Sequence, residues 1–470
     1  MIHLISRRRI VAAAMAGTLA LALVACAQPS PPPSTASSAS APGTDANNPF
    51  GVAPGSSVEV YGFDGGFGTE WLSFAAAAAQ KNLSDVTFTV TPTTKLMTEL
   101  QPRFVAKNPP DVIDNTGADA IPFASIIDQL ETLDDLWAAT NYDGDKISDA
   151  VFGGVDKAGT SDGKFIRLNY ALTVFGLFHS KTLFEANGWE APKTWDDLAT
   201  LCTAAKAKDK YLFTFGKEAV SYYGWLVLDS AIKQGGIGVM NDIANLKPGA
   251  WSAPAVKDAL TKLEALIKDG CMVPGGSGTQ FTQAQAQFSQ EQKALLYPSG
   301  SWLESEMKDA TAPDFQMTIT PFPLLDPATA AMPYEAIQAS GAEPLSVTKD
   351  GANPAGGKEF LRAVLSKEAA TNFSKTTGSL SVVKTAEIPA DGWGSSQLAS
   401  SMSAMSAAGS NVFAWIGDTY SIYYGIQDSV LWASFLDGSI TAEKFIAGEE
   451  ELSAAAAADT SITKMVYDYS

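Results

Sequence analysis

Histidine is nearly absent from this chain of 470 residues, which has only His3 and His179. A zinc site built from several histidines is therefore excluded. The three cysteines, Cys26, Cys202 and Cys271, lie too far apart for a Cys-x-x-Cys motif. His179, between Phe178 and Ser180, reads as a structural residue, and a histidine-dependent catalytic triad is disfavoured. Basic side chains are scarce as well, with 32 Lys and Arg against 51 Asp and Glu. Such a chain repels phosphate backbones and anionic headgroups, so no nucleic acid partner is expected. A membrane-spanning helix needs roughly 20 apolar residues, and no run beyond the first 25 positions supplies them.

What is present begins with an export signal. Arg7, Arg8 and Arg9 precede an apolar stretch from Ile10 to Ala25, which closes on Leu23-Val24-Ala25-Cys26. That order reads as a lipoprotein signal peptide over residues 1–25, removed before Cys26 is acylated. A plain secretory signal with an incidental cysteine is the alternative. Ser6-Arg7-Arg8-Arg9-Ile10-Val11 also suits a twin-arginine route, so both export routes stay open. Loss of the three arginines leaves 29 basic and 51 acidic residues, a net charge of −22. Residues 26–55 are crowded with Pro, Ser, Ala, Gly and Asn and include Pro31-Pro32-Pro33. A stretch of that composition buries too little to offset its ordering entropy, and it reads as a lipidated linker. The protein would then be held on the outer face of the cell membrane by lipid alone.

About 415 residues remain after position 55, more than one compact core usually holds, so two lobes are expected. Ser57 to Gly62 alternates like a strand, Thr69 to Lys81 reads as an alanine-rich helix, and Val86 to Val90 is a second strand. Met97 to Ala106 reads as a helix interrupted or kinked at Pro102, and Val112-Ile113 is a short buried strand after the turn Asn108-Pro109-Pro110-Asp111. This alternation argues for an α/β layer with a mainly parallel sheet. Phe165 to Phe178 reads as a strand passing between lobes. Thr194 and Asp197 form a capping-box pattern, Pro254 opens a helix that Gly270 can end, and Pro354 opens another. Cys202 and Cys271 are either a disulfide or two buried thiols. Gly65-Gly66-Phe67-Gly68 lacks the lysine and Ser/Thr of a phosphate loop, so no nucleotide or other cofactor is expected.

Three segments occur in order: Asn108-Pro109-Pro110-Asp111-Val112-Ile113-Asp114-Asn115, then Pro192-Lys193-Thr194-Trp195-Asp196-Asp197-Leu198, then Tyr297-Pro298-Ser299-Gly300-Ser301-Trp302-Leu303-Glu304. With the lipoprotein signal, they resemble the solute-binding lipoproteins of carbohydrate ABC transporters. Within these the chain is most similar to the N-acetylglucosamine/diacetylchitobiose-binding proteins. The resemblance implies a two-lobed periplasmic-binding-protein fold of type II, crossed three times at a hinge, near Thr173, Thr320 and Ser379. Lobe 1 would be residues 56–172 and 320–378, and lobe 2 residues 173–319 and 379–470. It implies a monomer without catalysis. Its partners would be a carbohydrate, ABC permease subunits and, through them, an ATPase.

A sugar presents C–H faces, which aromatic rings cover, and hydroxyls, which polar side chains bind. Trp302 is the expected stacking residue, and the resemblance supports it; Glu304 is a candidate acceptor for hydroxyls. Tyr222, Tyr223 and Trp225 form a second aromatic group, and being so close in sequence they cannot all face one side. Tyr420 and Tyr423 share a helical face after Trp415, and the resemblance favours Tyr423 for the cleft. From the other lobe come Asp64 and Asn115, at the carboxyl edge of the sheet where α/β proteins bind ligands, with Asp119 nearby. For these loop residues, turn formation or capping is the competing role. A secreted glycoside hydrolase is the rival class, needing two carboxylates across a glycosidic bond, and no such pair emerges. A tethered interaction module would instead show an exposed apolar patch.

Overall fold

A computed structural model describes residues 45–65, 67–117, 119–161, 163–414, 429–460, 464 and 466. Cys26, Tyr420 and Tyr423 lie outside the described residues. In chain order the strands are β1 (Ser57–Phe63), β2 (Thr87–Thr93), β3 (Val112–Asp114), β4 (Thr160–Ser161), β5 (Lys164–Phe165), β6 (Leu168–Ser180), β7 (Tyr211–Phe213), β8 (Ala294–Gly300), β9 (Met317–Thr320), β10 (Ile337–Val347), β11 (Leu380–Ser381) and β12 (Val412–Phe413). β4 and β5 pair only with each other. The other ten form a sheet in the order β2-β1-β3-β10-β6-β8-β7, with β9 and β11 also on β6 and β12 on β10.

β1 runs parallel to β2 and β3, and helices Glu70–Asn82 and Leu96–Val105 connect them. Val58 and Val60 point inward at the strand period of two, and the first helix answers with Trp71, Leu72, Ala75, Ala76 and Ala79. The helix expected to be interrupted or kinked at Pro102 is not interrupted there and runs on to Val105. The capping box at Thr194 forms: its hydroxyl accepts from the Asp197 N–H at 3.1 Å, and the Asp197 carboxylate accepts from the Thr194 N–H at 2.9 Å.

β6 organises the molecule. It is buried almost throughout, as a strand covered on both faces must be. Its first half, Leu168 to Val174, pairs antiparallel with β10. Its second half, Phe175 to Ser180, pairs with β8 and β9. The cores divide accordingly. Val60, Trp71, Val112, Phe360 and Phe373 build one. Phe175, Leu177, Trp195, Leu226, Leu260 and Trp432 build another. The alternate side chains Val174 and Phe178 face a third cluster with Phe288, Tyr297 and Leu398. Phe322 and Leu325 pack in the second core, and Val382, Val383 and Ala386 in the first. The result is a two-lobed α/β fold joined by chain that runs from one sheet half to the other.

The linker expected over residues 26–55 requires correction from residue 45 onward. Val52 is 1% exposed, and its backbone N–H and C=O both bond the Asn48 amide. Arg362 donates to the carbonyl oxygens of Ala46 at 3.0 Å and Asn47 at 3.2 Å. Arg362 is itself buried beside Glu359, which also accepts from the Tyr142 hydroxyl at 2.8 Å. Composition could not reveal this, because the partner is a cation far along the chain. Cys202 and Cys271 form a disulfide, with Cα atoms 5.6 Å apart, that joins helix Trp195–Lys206 to the turn after helix Pro254–Lys268. His179 packs on Phe184 with ring centroids 4.5 Å apart, and burial pushes its pKa down to about 4. It is a neutral core residue. Among the described residues no helix is long and apolar enough to cross a membrane.

Candidate functional site

The carboxyl ends of both sheet halves point at one stretch of β6. Asn115, just past β3, donates its backbone N–H to the Pro344 carbonyl, and Pro344 pairs with Asn169 of β6. On the other side Gly300, the last residue of β8, pairs with Phe175. Asn169 and Phe175 are six steps apart along the strand, about 20 Å at the usual rise. The two edges therefore meet β6 at points separated by that length of strand.

Beyond Gly300 the chain turns, and the Ser301 hydroxyl accepts from the Val174 N–H at 3.1 Å. Trp302 then folds its ring back over Gly300; a Cβ there would lie 2.0 Å from the indole. Only glycine admits that approach. Helix Tyr222–Gly235 brings Tyr222 and Trp225, three residues apart on one face, to the same place. Their rings stack with centroids 4.5 Å apart and planes at 20°. Trp302 meets Tyr222 and Trp225 edge to face, each at 5.9 Å, and Phe175 joins Trp225 at 4.8 Å. Trp302 and Tyr222 stay half-buried, while Trp225 is 7% exposed. Burial pushes the Tyr222 phenol up to about 12, so it stays a neutral hydroxyl. Three of the aromatics singled out in the sequence thus form one patch at the hinge strand.

Four expected site residues are committed elsewhere. Tyr223 points away from its neighbours; it is wholly buried against Phe213 and Phe215, and its hydroxyl donates to the Thr214 carbonyl at 2.8 Å. Asn115 closes its amide on the backbone of Ile121, donating at 2.7 Å and accepting at 2.8 Å, which shapes the loop. Asp119 accepts from the Thr98 N–H at 3.1 Å, satisfying the start of helix Leu96–Val105. Glu304 accepts from the Ser395 and Ser396 hydroxyls, and its N–H donates to the Gln397 amide oxygen at 2.9 Å. Burial holds its pKa above the usual carboxylate range, and its oxygens face helix Ser396–Ala408. Asp64 differs: it is exposed just past β1, with no described side-chain hydrogen bond.

One pair had no signal in the sequence. Asp114, at the end of β3, is fully buried and accepts from the Phe63 N–H and the Thr116 hydroxyl. Glu343 of β10 is 6% exposed and faces it. Burial raises both carboxyls, and Asp114 raises Glu343 further by its charge, so the folded pair holds a proton to higher pH than free carboxyls do. Glu343 also has a φ of 53°, in the left-handed region.

A two-lobed α/β protein with aromatic rings gathered at the hinge strand is built as a receptor for small solutes. The chain belongs to the bacterial extracellular solute-binding protein family, whose model matches residues 66–371. The family places it among exported proteins. It is 47% identical over 97% of its length to the "Diacetylchitobiose binding protein NgcE" of Streptomyces coelicolor (strain ATCC BAA-471 / A3(2) / M145), covering 96% of that protein. The apo form of RafE from Streptococcus pneumoniae shares the fold with a TM-score of 0.69 at 17% identity, over 86% of this chain and 98% of that one. A chitin oligosaccharide binding protein does so with a TM-score of 0.60 at 17% identity, over 85% of this chain and 98% of that one. These relatives are binding proteins, and they lend no support to the glycoside hydrolase alternative.

Proposed function

We propose that this chain is the receptor of an ABC importer, capturing N-acetylglucosamine or a chitobiose-type oligosaccharide and handing it to a membrane permease. The observation that carries the reading is the patch of Tyr222, Trp225 and Trp302 beside the hinge strand. Indole and phenol faces cover the C–H face of a pyranose, and the half-buried Trp302 is placed to do so. Asp64 supplies a carboxylate for hydroxyls from the opposite edge. The relative at 47% identity, named for binding diacetylchitobiose, supports this sugar class. Closure of the lobes brings the two edges onto the ligand together, so ligand favours the closed form. The closed form is what a permease, driven by its ATPase partner, would receive. The receptor acts as a monomer without catalysis, held to the membrane by lipid on Cys26.

The lobes follow the cores. On the division of the cores, we assign to lobe 1 residues 45–172 and the chain from the middle of β10 to Ala386, and to lobe 2 the other described residues. Both later boundaries then fall beyond the expected Thr320 and Ser379.

Calorimetry on residues 45–470 tests the reading. N-acetylglucosamine or diacetylchitobiose should give heat and a thermal shift. Silence with both, and with maltodextrins, would remove the sugar assignment; release of N-acetylglucosamine from chitobiose would restore the hydrolase.

A further inference from the structure

Trp393 is the one exposed aromatic side chain among the described residues. Its backbone sits at φ 54° and ψ 37°, a left-handed conformation that favours glycine and that bulky residues rarely adopt. The turn is built to hold it there. Gly392 and Gly394 flank it at φ 53° and 87°. The Asp391 carboxylate accepts from the Trp393 N–H at 3.1 Å. The N–H groups of Gly392, Gly394 and Ser395 donate to Pro389, Asp391 and Gly392 at 2.8, 2.8 and 3.0 Å. A tryptophan 37% exposed on a strained backbone is held there by its surroundings, and such strain clusters at functional sites. Isolated exposed apolar residues are ordinary, so the location must carry the argument.

That location is a turn tied to the segment that carries Trp302. The Ser395 and Ser396 hydroxyls donate to the Glu304 carboxylate. Gln397 accepts from the Glu304 N–H at 2.9 Å and donates to the Ser301 carbonyl at 2.6 Å. The turn carrying Trp393 is therefore fastened to the residues on both sides of Trp302. Trp393 is two residues from Ser395, a span of at most about 7 Å. Trp302 touches Phe175, Tyr222 and Trp225, whereas Trp393 makes no ring contact among the described residues.

We propose that Trp393 is a second stacking platform, for a sugar unit beyond the one covered by Trp302. It rests on the sugar reading above and deepens it: the ligand is an oligosaccharide, and Glu304 is a positioning residue that fixes one platform to the other. Two aromatic faces on braced elements suit a ligand that repeats the same ring, and a monosaccharide engages one of them.

Calorimetry on the full chain in detergent tests this with N-acetylglucosamine, diacetylchitobiose and tetra-N-acetylchitotetraose. Glycine suits the backbone of position 393, so Trp393→Gly removes the ring and relieves the torsion. The variant should melt at or above the wild-type temperature. Its affinity for the tetramer should fall by about tenfold or more, that for N-acetylglucosamine by less than about twofold. Trp393→Phe should recover part of the loss. Unchanged tetramer affinity would overturn the proposal, as would an equal loss for every ligand or a lower melting temperature. If the wild-type chain binds none of the three sugars, the sugar reading itself falls and takes this one with it.

Discussion

Phe175 and Trp302 meet edge to face, with ring centroids 5.7 Å apart and planes at 79°. Phe175 belongs to the strand that both sheet halves share, and Trp302 caps the end of β8. The ring proposed to cover the sugar thus rests directly on the element that joins the lobes.

Removing that ring should separate binding from folding. Trp302→Ala is expected to weaken sugar binding by about tenfold or more, equivalent to roughly 1.4 kcal/mol. Trp302→Phe should bind with intermediate affinity. Tyr223→Phe, in the core against Phe213 and Phe215, should leave affinity unchanged and lower stability by about 1 kcal/mol through the lost bond to Thr214. Isothermal titration alongside urea denaturation distinguishes the two effects.

The Asp114–Glu343 pair predicts a pH dependence. Burial raises both carboxyls in the folded chain, with Glu343 raised further by Asp114. Unfolded, both titrate near 4. Above that range the folded chain holds a proton that the unfolded chain has lost, so stability falls as pH rises, until the folded pair also gives it up. The slope is up to about 1.4 kcal/mol per pH unit. Glu343→Gln keeps a neutral side chain at all pH values, so urea midpoints between about pH 5 and 8 should show a flatter profile than the wild type. Parallel profiles would mean that the pair does not retain the proton.

The disulfide spans 69 residues of sequence. Cys202→Ser together with Cys271→Ser should destabilise the protein by about 2–4 kcal/mol, chiefly by freeing the unfolded chain. Denaturation midpoints with and without reductant measure it. The site lies on other elements, so ligand affinity should persist in the double variant at a temperature where it remains folded.

Arg362 binds the segment at Ala46 and Asn47 from a buried position beside Glu359. Arg362→Met would leave the Glu359 carboxylate buried without its cation, at a cost of about 3–5 kcal/mol. Residues 45–52 should then exchange amide hydrogens faster and be cleaved earlier by protease. Glu359→Gln with Arg362→Met removes the orphaned charge, so it should regain stability yet leave the segment exposed. Protection of residues 45–52 in both variants would show that Arg362 does not hold them.

Much of the fold was legible because its causes are local. β1 shows its alternation within seven residues, and the Thr194 cap is complete within four. The aromatic patch was half-legible: helical spacing separates Tyr222 and Trp225 from Tyr223, but not which side faces the hinge. Glu304, Asn115 and Asp119 looked like ligand residues because loop carboxylates and amides serve both ligands and backbone. What decided between these roles was partners such as Ser395, 91 positions from Glu304. Glu343 had no local sign at all, since its meaning lies in Asp114 on another strand. Trp393 did have one: a tryptophan set between two glycines after an aspartate.

Where β6 leaves one sheet half for the other, the Val174 N–H is held by the Ser301 side chain. A backbone carbonyl in a ladder has a fixed direction, but a serine hydroxyl can swing about its Cα–Cβ bond. The junction of the two sheet halves therefore closes on a side chain rather than on a strand partner, and the buried N–H of Val174 is left with an acceptor all the same.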